Sequence, residues 1–137
     1  MKQLLFGLLF FSVAGILSAQ SGTPEQKAAG TAELFAKKYQ LSNTQQEKMY
    51  QIQLRRYRDR ELIAPNKTSD RSLYLEQLKA IEYGADISVQ LMLTESQIPQ
   101  FRAYFIERRT QQAEVLQAML AQGTPIKEVE IAVLELE

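Results

Sequence analysis

Cysteine, histidine and tryptophan are absent from the 137 residues, and glycine and proline number only 6 and 4. Without cysteine there is no disulfide framework, no thiolate metal site and no cysteine nucleophile. Without histidine the commonest general base and the usual imidazole ligand are missing too. Charge of one sign is also lacking: 16 Lys+Arg balance 16 Asp+Glu, a formal net charge of 0. A dedicated nucleic-acid binder carries a clear basic excess. No Gly-rich phosphate loop occurs, so nucleotide use has no support. The length suits one domain. Unless carboxylates alone do chemistry, the expectation is a non-enzyme with no cofactor and no metal.

The one long apolar run stands at the start. Met1-Lys2 is a short positive region, Leu4 to Leu17 is apolar, and small residues follow at Ser18, Ala19 and Ser21. That order predicts a secretory signal peptide over residues 1–19, cleaved after Ala19 or, as second choice, after Ser21. The run falls short of the roughly 20 residues of a membrane span, which disfavours the alternative of an uncleaved anchor. No cysteine follows it, so a lipoprotein anchor is excluded. The expected product, residues 20–137, is a single exported helical domain with no membrane span. Loss of Lys2 leaves it with one more acidic than basic side chain.

The rest reads as helices, because no segment keeps the apolar–polar alternation of a strand. Thr23-Pro24-Glu25-Gln26 combines an N-cap, a proline at the first helical position and a capping-box glutamine. A first helix follows to about Tyr39. A second opens at Ser42 and runs to about Ile63. Ala64-Pro65-Asn66-Lys67-Thr68-Ser69 interrupts the chain, and Asp70 or Ser69 caps a third helix reaching Met92. A fourth runs from Leu93 towards Gln122-Gly123, and Thr124-Pro125 starts a short acidic fifth. The predicted class is all-α: a thin, elongated protein of four to five helices, formed from long hairpins. About 118 residues in thin helices bury little core alone, so a homodimer is expected.

An internal repeat stands out. Leu41-Ser42-x-x-Gln45 recurs as Leu93-Thr94-x-x-Gln97, each opening a helix rich in aromatics and arginine. Ser42 and Thr94 can accept a bond from the N–H three residues on, while Gln45 and Gln97 reach back. The plain meaning is two good helix starts. Taken together, the pair resembles the Spy/CpxP family of periplasmic proteins, which carry an LTxxQ motif twice. The second copy matches better, continuing into Phe101, Phe105 and Glu107-Arg108-Arg109 as the family's aromatic helix does. The likeness spans Leu41 to Arg109. Pro99 departs from the pattern: either the first turn is distorted or the helix starts near Pro99. The lack of histidine leaves no imidazole ligands for the zinc binding known among relatives, and the acidic stretch Glu128–Glu137 has no counterpart in the motif.

Two stripes run along the second helix: Tyr50, Leu54, Tyr57 and Glu61, and, nearly opposite, Met49, Ile52, Arg56, Arg60 and Ile63. One should pack and the other remain as a mixed aliphatic and basic surface, either for binding or merely with arginine stems over apolar neighbours. The fourth helix shows a wide apolar face of Phe101, Tyr104, Phe105, Val115, Leu116 and Met119, whose first meaning is core or dimer seam, with Arg108 and Gln112 among them. An unpaired buried charge is costly, so Arg108 belongs at the rim of an open surface. The resemblance implies a curved helical homodimer in the periplasm that binds unfolded or stress-damaged clients without ATP. Under it the client-binding residues are Ile52, Arg55, Arg56, Tyr57, Arg60, Phe101, Phe105, Arg108 and Arg109. A second class is a regulator that binds the sensor domain of an envelope stress-response system, as CpxP-type relatives do. A third is an enzyme with two convergent carboxylates, which the scattered, surface-style placement of glutamate disfavours. Arg55-Arg56-Tyr57-Arg58-Asp59-Arg60 could attract RNA or an anionic surface, but it sits in an exported chain with an acidic tail.

Overall fold

Most breaks between helices are marked by a capping residue or a proline. The computed structural model describes residues 22–136. The expected signal peptide and its cleavage sites therefore lie outside the described residues. Within them the chain forms α1 (Pro24–Tyr39), α2 (Asn43–Ile63), α3 (Asn66–Ser69), α4 (Arg71–Met92), α5 (Ile98–Ala121) and α6 (Ile126–Glu135), with no strand. The all-helical class is as expected. The additional element, α3, is a single turn inside the predicted interruption.

The capping predictions hold at α1, α2 and α4 but not at Thr94, whose hydroxyl meets Ser96 while its backbone carbonyl takes the Gln97 N–H. Thr23 accepts from the Gln26 N–H while the Gln26 amide oxygen accepts from the Thr23 N–H at 3.1 Å. Ser42 and Gln45 repeat that box at α2. Asp70 caps α4 through the Leu73 N–H at 3.0 Å. Between α1 and α2, Gln40 adopts φ 52°, ψ 52°, a left-handed C-cap that turns the chain sharply into the first motif. The second motif differs. Its helix begins at Ile98, after a turn in which the Thr94 carbonyl accepts from the N–H groups of Gln97 and Ile98. Pro99 then stands in the first turn, where its missing N–H would have had no helical partner. The late start resolves the conflict that the sequence posed.

The apolar interior is divided into three strips. One gathers Ala32, Phe35 and Tyr39 of α1 with Leu41, Met49, Val89 and Phe101. A second joins Ala28 to Leu54 and Tyr57, and a third joins Ile63 to Tyr74, Leu75, Leu78 and Ile131. Helix α1 packs on α2, α2 on α4, and α6 on both α4 and α5. Aromatic rings bind the first strip: Phe35 stacks on Tyr39 at 5.4 Å, and Tyr104 meets Phe35 edge-on at 5.2 Å. Such pairs contribute about 0.5–1.5 kcal/mol beyond their burial.

Candidate functional site: motif clasp and cationic groove

The two motifs meet. Gln45 Nε2 donates to Gln97 Oε1 at 2.8 Å, and Gln97 Nε2 donates to Gln45 Oε1 at 3.1 Å. Each oxygen also accepts from the cap N–H of its own motif, Ser42 at 3.0 Å and Thr94 at 2.9 Å. Each amide nitrogen also donates to the end of the helix that precedes the other motif: Gln45 to the Met92 carbonyl, Gln97 to the Tyr39 carbonyl, both at 3.1 Å. Two side chains thereby use both N–H donors and both acceptor positions. The result is a pseudo-two-fold clasp that ties the end of α1 to the start of α5 and the end of α4 to the start of α2. Reading the motifs singly as caps explains two of these six bonds, and the repetition itself was the signal for the other four.

The mixed stripe of α2 is not a free surface, a correction to the sequence reading. Arg56 donates from Nε to both Glu82 oxygens at 3.0 Å and from Nη2 at 2.8 Å; Arg60 Nε donates to Glu82 Oε1 at 2.7 Å. Only 11% of the Arg56 side chain, 15% of Arg60 and 11% of Glu82 remain exposed. Arg60 further donates to the Leu134 carbonyl at 2.8 Å, reaching α6. Both stripes of α2 are therefore packed, because Glu82 of α4 offers a buried carboxylate opposite the arginines. Tyr57 is buried too, its hydroxyl bonded to Thr31 at 2.9 Å. Phe101 is buried against Tyr39, and Ile52 is half-buried at the edge of the first strip. Of the α2 candidates only Arg55 is open, in a loose pair with Asp59 at 3.6 Å.

The α5 candidates do converge. Phe105, Arg108 and Arg109 line an open groove of about 510 Å³ with Lys79, Tyr83 and Asp86 of α4 and Leu134 and Leu136 at the end of α6. Arg108 pairs with Asp86, lies 5.2 Å from the Phe105 ring centre, and has a buried Nε with no partner among the described residues. Burial opposes its charge, but the Asp86 carboxylate outweighs it and raises the guanidinium pKa. Arg109 covers the Phe105 ring at 4.9 Å. The groove thus offers cation, aromatic and aliphatic groups together. The sequence reading missed Tyr83, 70% exposed at the groove wall. It also missed that Arg109 belongs to an exposed strip beside the groove with Arg102, Ile106, Ala113 and Leu120, which helical spacing would have revealed.

No group of three or more His, Cys, Asp or Glu suited to holding a metal occurs among the described residues. Among the same residues no helix is long and apolar enough to cross a membrane. Comparisons of the chain with protein-family models, curated proteins and solved structures find no match.

Proposed function

We propose that this protein is an exported, periplasmic, ATP-independent chaperone-like member of the Spy/CpxP group. It holds unfolded or stress-damaged clients on the groove between α4 and α5 and on the adjoining strip of α5. The observation that carries the reading is the exposure of α5: of its 24 residues only Phe101 is buried. Ile106 is 66% exposed beside the cations Arg102 and Arg109. Apolar groups take up client segments that water rejects, while arginine steers acidic or aromatic stretches from a distance. The test is light scattering from an aggregating client, without nucleotide, at several ratios of folded protein to client. Dose-dependent suppression is expected, weakened by Ile106→Ser with Arg109→Gln. Unchanged aggregation of several clients at low salt would sink the reading and leave the sensor-binding regulator as the better one.

The same proposal includes a homodimer, supported by the outer side of α4. Leu73, Gln77, Ala80, Gly84, Ile87 and Leu91 follow one another at alternate steps of four and three, the spacing of a coiled-coil seam. Leu73, Ile87 and Leu91 are 41%, 37% and 81% exposed, and a Cβ on Gly84 would meet nothing. The seam is self-complementary when reversed. About an axis between Ala80 and Gly84, Leu73 faces Leu91, Gln77 faces Ile87 and the two small residues face each other. Arg55 and Asp59, beside the same centre, would pair reciprocally with their symmetry mates. Ile87→Glu with Leu91→Glu should give a helical monomer by sedimentation. A wild-type monomer at high micromolar concentration would remove the dimer.

A further inference from the structure

Helix α6 is held chiefly by what it lies against. It has 10 residues, and no side chain caps its N-terminus at Pro125. Isolated helices below about 12–15 residues are marginal in water, so this one depends on what it lies against. Its charged side chains bond to other elements: Glu128 to Arg71, Glu130 to Lys79 at 3.0 Å, Glu135 to Lys67 at 2.7 Å and to the Tyr74 hydroxyl at 2.7 Å, and Lys127 to Ser72 at 2.6 Å. Beneath it Val129 and Ile131 are buried, Ile131 against Ile63, Tyr74, Leu75 and Leu78. The surface below α6 is therefore an aliphatic floor with a rim of cations. The occupant is acidic and aliphatic, and its complementarity is that of a bound peptide.

Two further observations point the same way. Gly123 has φ +80° with open space around it, a glycine joint between α5 and α6. At its other end α6 runs into the cationic groove, where Leu134 and Leu136 form one wall beside Phe105 and Arg108. The surface under α6 and the proposed client groove are thus continuous.

We propose that α6 is a displaceable occupant, in cis, of a longer client groove that takes acidic, aliphatic, helix-forming segments of other proteins. The idea rests on the client-binding reading and names the class of client. Swinging out at Gly123 exposes Lys67, Arg71, Lys79 and the floor of Ile63, Leu75 and Leu78. A client of matching chemistry then replaces α6 contact for contact. Clients rich in lysine and poor in aliphatics are rejected, because the rim cations repel them.

The probe is a labelled peptide of residues 124–137 of this chain, added to the full-length protein. Three forms are compared by fluorescence anisotropy. In the first, wild type, α6 competes in cis and binding is weak. In the second, Glu128→Lys, Glu130→Lys and Glu135→Gln loosen α6, and affinity should rise about tenfold as the competitor leaves. In the third, Ser72→Cys and Lys127→Cys are joined by a reducible bis-maleimide linker, which the cysteine-free background makes specific. That form should bind no peptide until reductant cuts the linker. A control peptide with its glutamates changed to lysine should bind none of them. Circular dichroism checks folding, and the linked form retains α6 even if the loosened one unfolds. Equal peptide binding by the linked and reduced proteins overturns the inference. So does a linked form that still suppresses client aggregation fully, while leaving the chaperone reading standing. Peptide displacement without any suppression of aggregation does the reverse.

Discussion

The motif end and the α6 end of the molecule are built from different forces. At the motif end, neutral amides bond to one another and to backbone carbonyls above a strip of stacked rings. At the α6 end, ion pairs with half-exposed partners cross from one helix to the next: Lys79 to Glu130 with 52% and 37% of the side chains exposed, Lys67 to Glu135 with 42% and 31%. Neutral hydrogen bonds and apolar contacts are indifferent to salt and to moderate pH. Exposed charge pairs are screened by salt and lost by titration. One end is a fixed joint, the other a contact that solution conditions can loosen. The Glu82 cluster lies between them, and through Arg60 it touches both α2 and α6.

The contrast is broken most severely at that midpoint. Glu82→Ala leaves Arg56 and Arg60 without their carboxylate in a low-exposure site, and should cost about 3–5 kcal/mol in urea unfolding. Next comes the clasp. Gln97→Leu leaves the Tyr39 carbonyl, the Thr94 N–H and one half of the Gln45 amide unmatched, for a loss of about 2–3 kcal/mol. Gln45→Leu should cost a similar amount, and the double variant much less than the two together, since they remove one shared unit. Additive losses in that cycle would mean the glutamines act only as separate caps.

Titration sharpens the comparison. Burial works against the charged form of Glu135, but the bonds from Lys67 and Tyr74 prevail and lower its pKa below 4.5. Its contribution is therefore complete above pH 4.5 and is lost as pH falls through the lowered native value. Tyr74 behaves oppositely: burial, then its bond to Glu135, push its pKa up from 10.0 to about 12. That contribution is complete below pH 10.0 and is lost as pH rises through about 12. Amide protection, taken relative to intrinsic exchange at each pH, should fall in α6 at both extremes before it falls around Gln45 and Gln97. The smallest effect belongs to salt. At about 1 M the screening length falls to about 3 Å, and α6 protection should drop by less than about 1 kcal/mol per pair with the clasp unchanged.

Much of the fold was legible beforehand because helix starts and stops are local. Thr23 with Gln26, Ser42 with Gln45, and Asp70 with Leu73 act within three residues, so a window of a few letters contains the cause. The α5 part of the candidate site was legible for a similar reason. Phe105, Arg108 and Arg109 lie within one helical turn of each other and reach the same groove. The α2 part was not. Periodicity finds a mixed apolar and basic stripe, but it cannot say that a carboxylate 26 and 22 positions further on will stand opposite Arg56 and Arg60.

By itself, then, the sequence determined the helices, their caps, the absence of cysteine and histidine chemistry, and the presence of a repeated motif. These depend on residue type and on spacings shorter than two turns. Only the tertiary structure decided that the two motif glutamines bond to each other, that Arg56 and Arg60 of α2 are buried while Arg102 and Arg109 of α5 are open, and that the acidic last helix lies on a cationic surface. Each of those outcomes turns on which face of one helix meets which face of another. That choice is made by summing buried area and charge pairing over the whole chain, and no short stretch of sequence contains the sum.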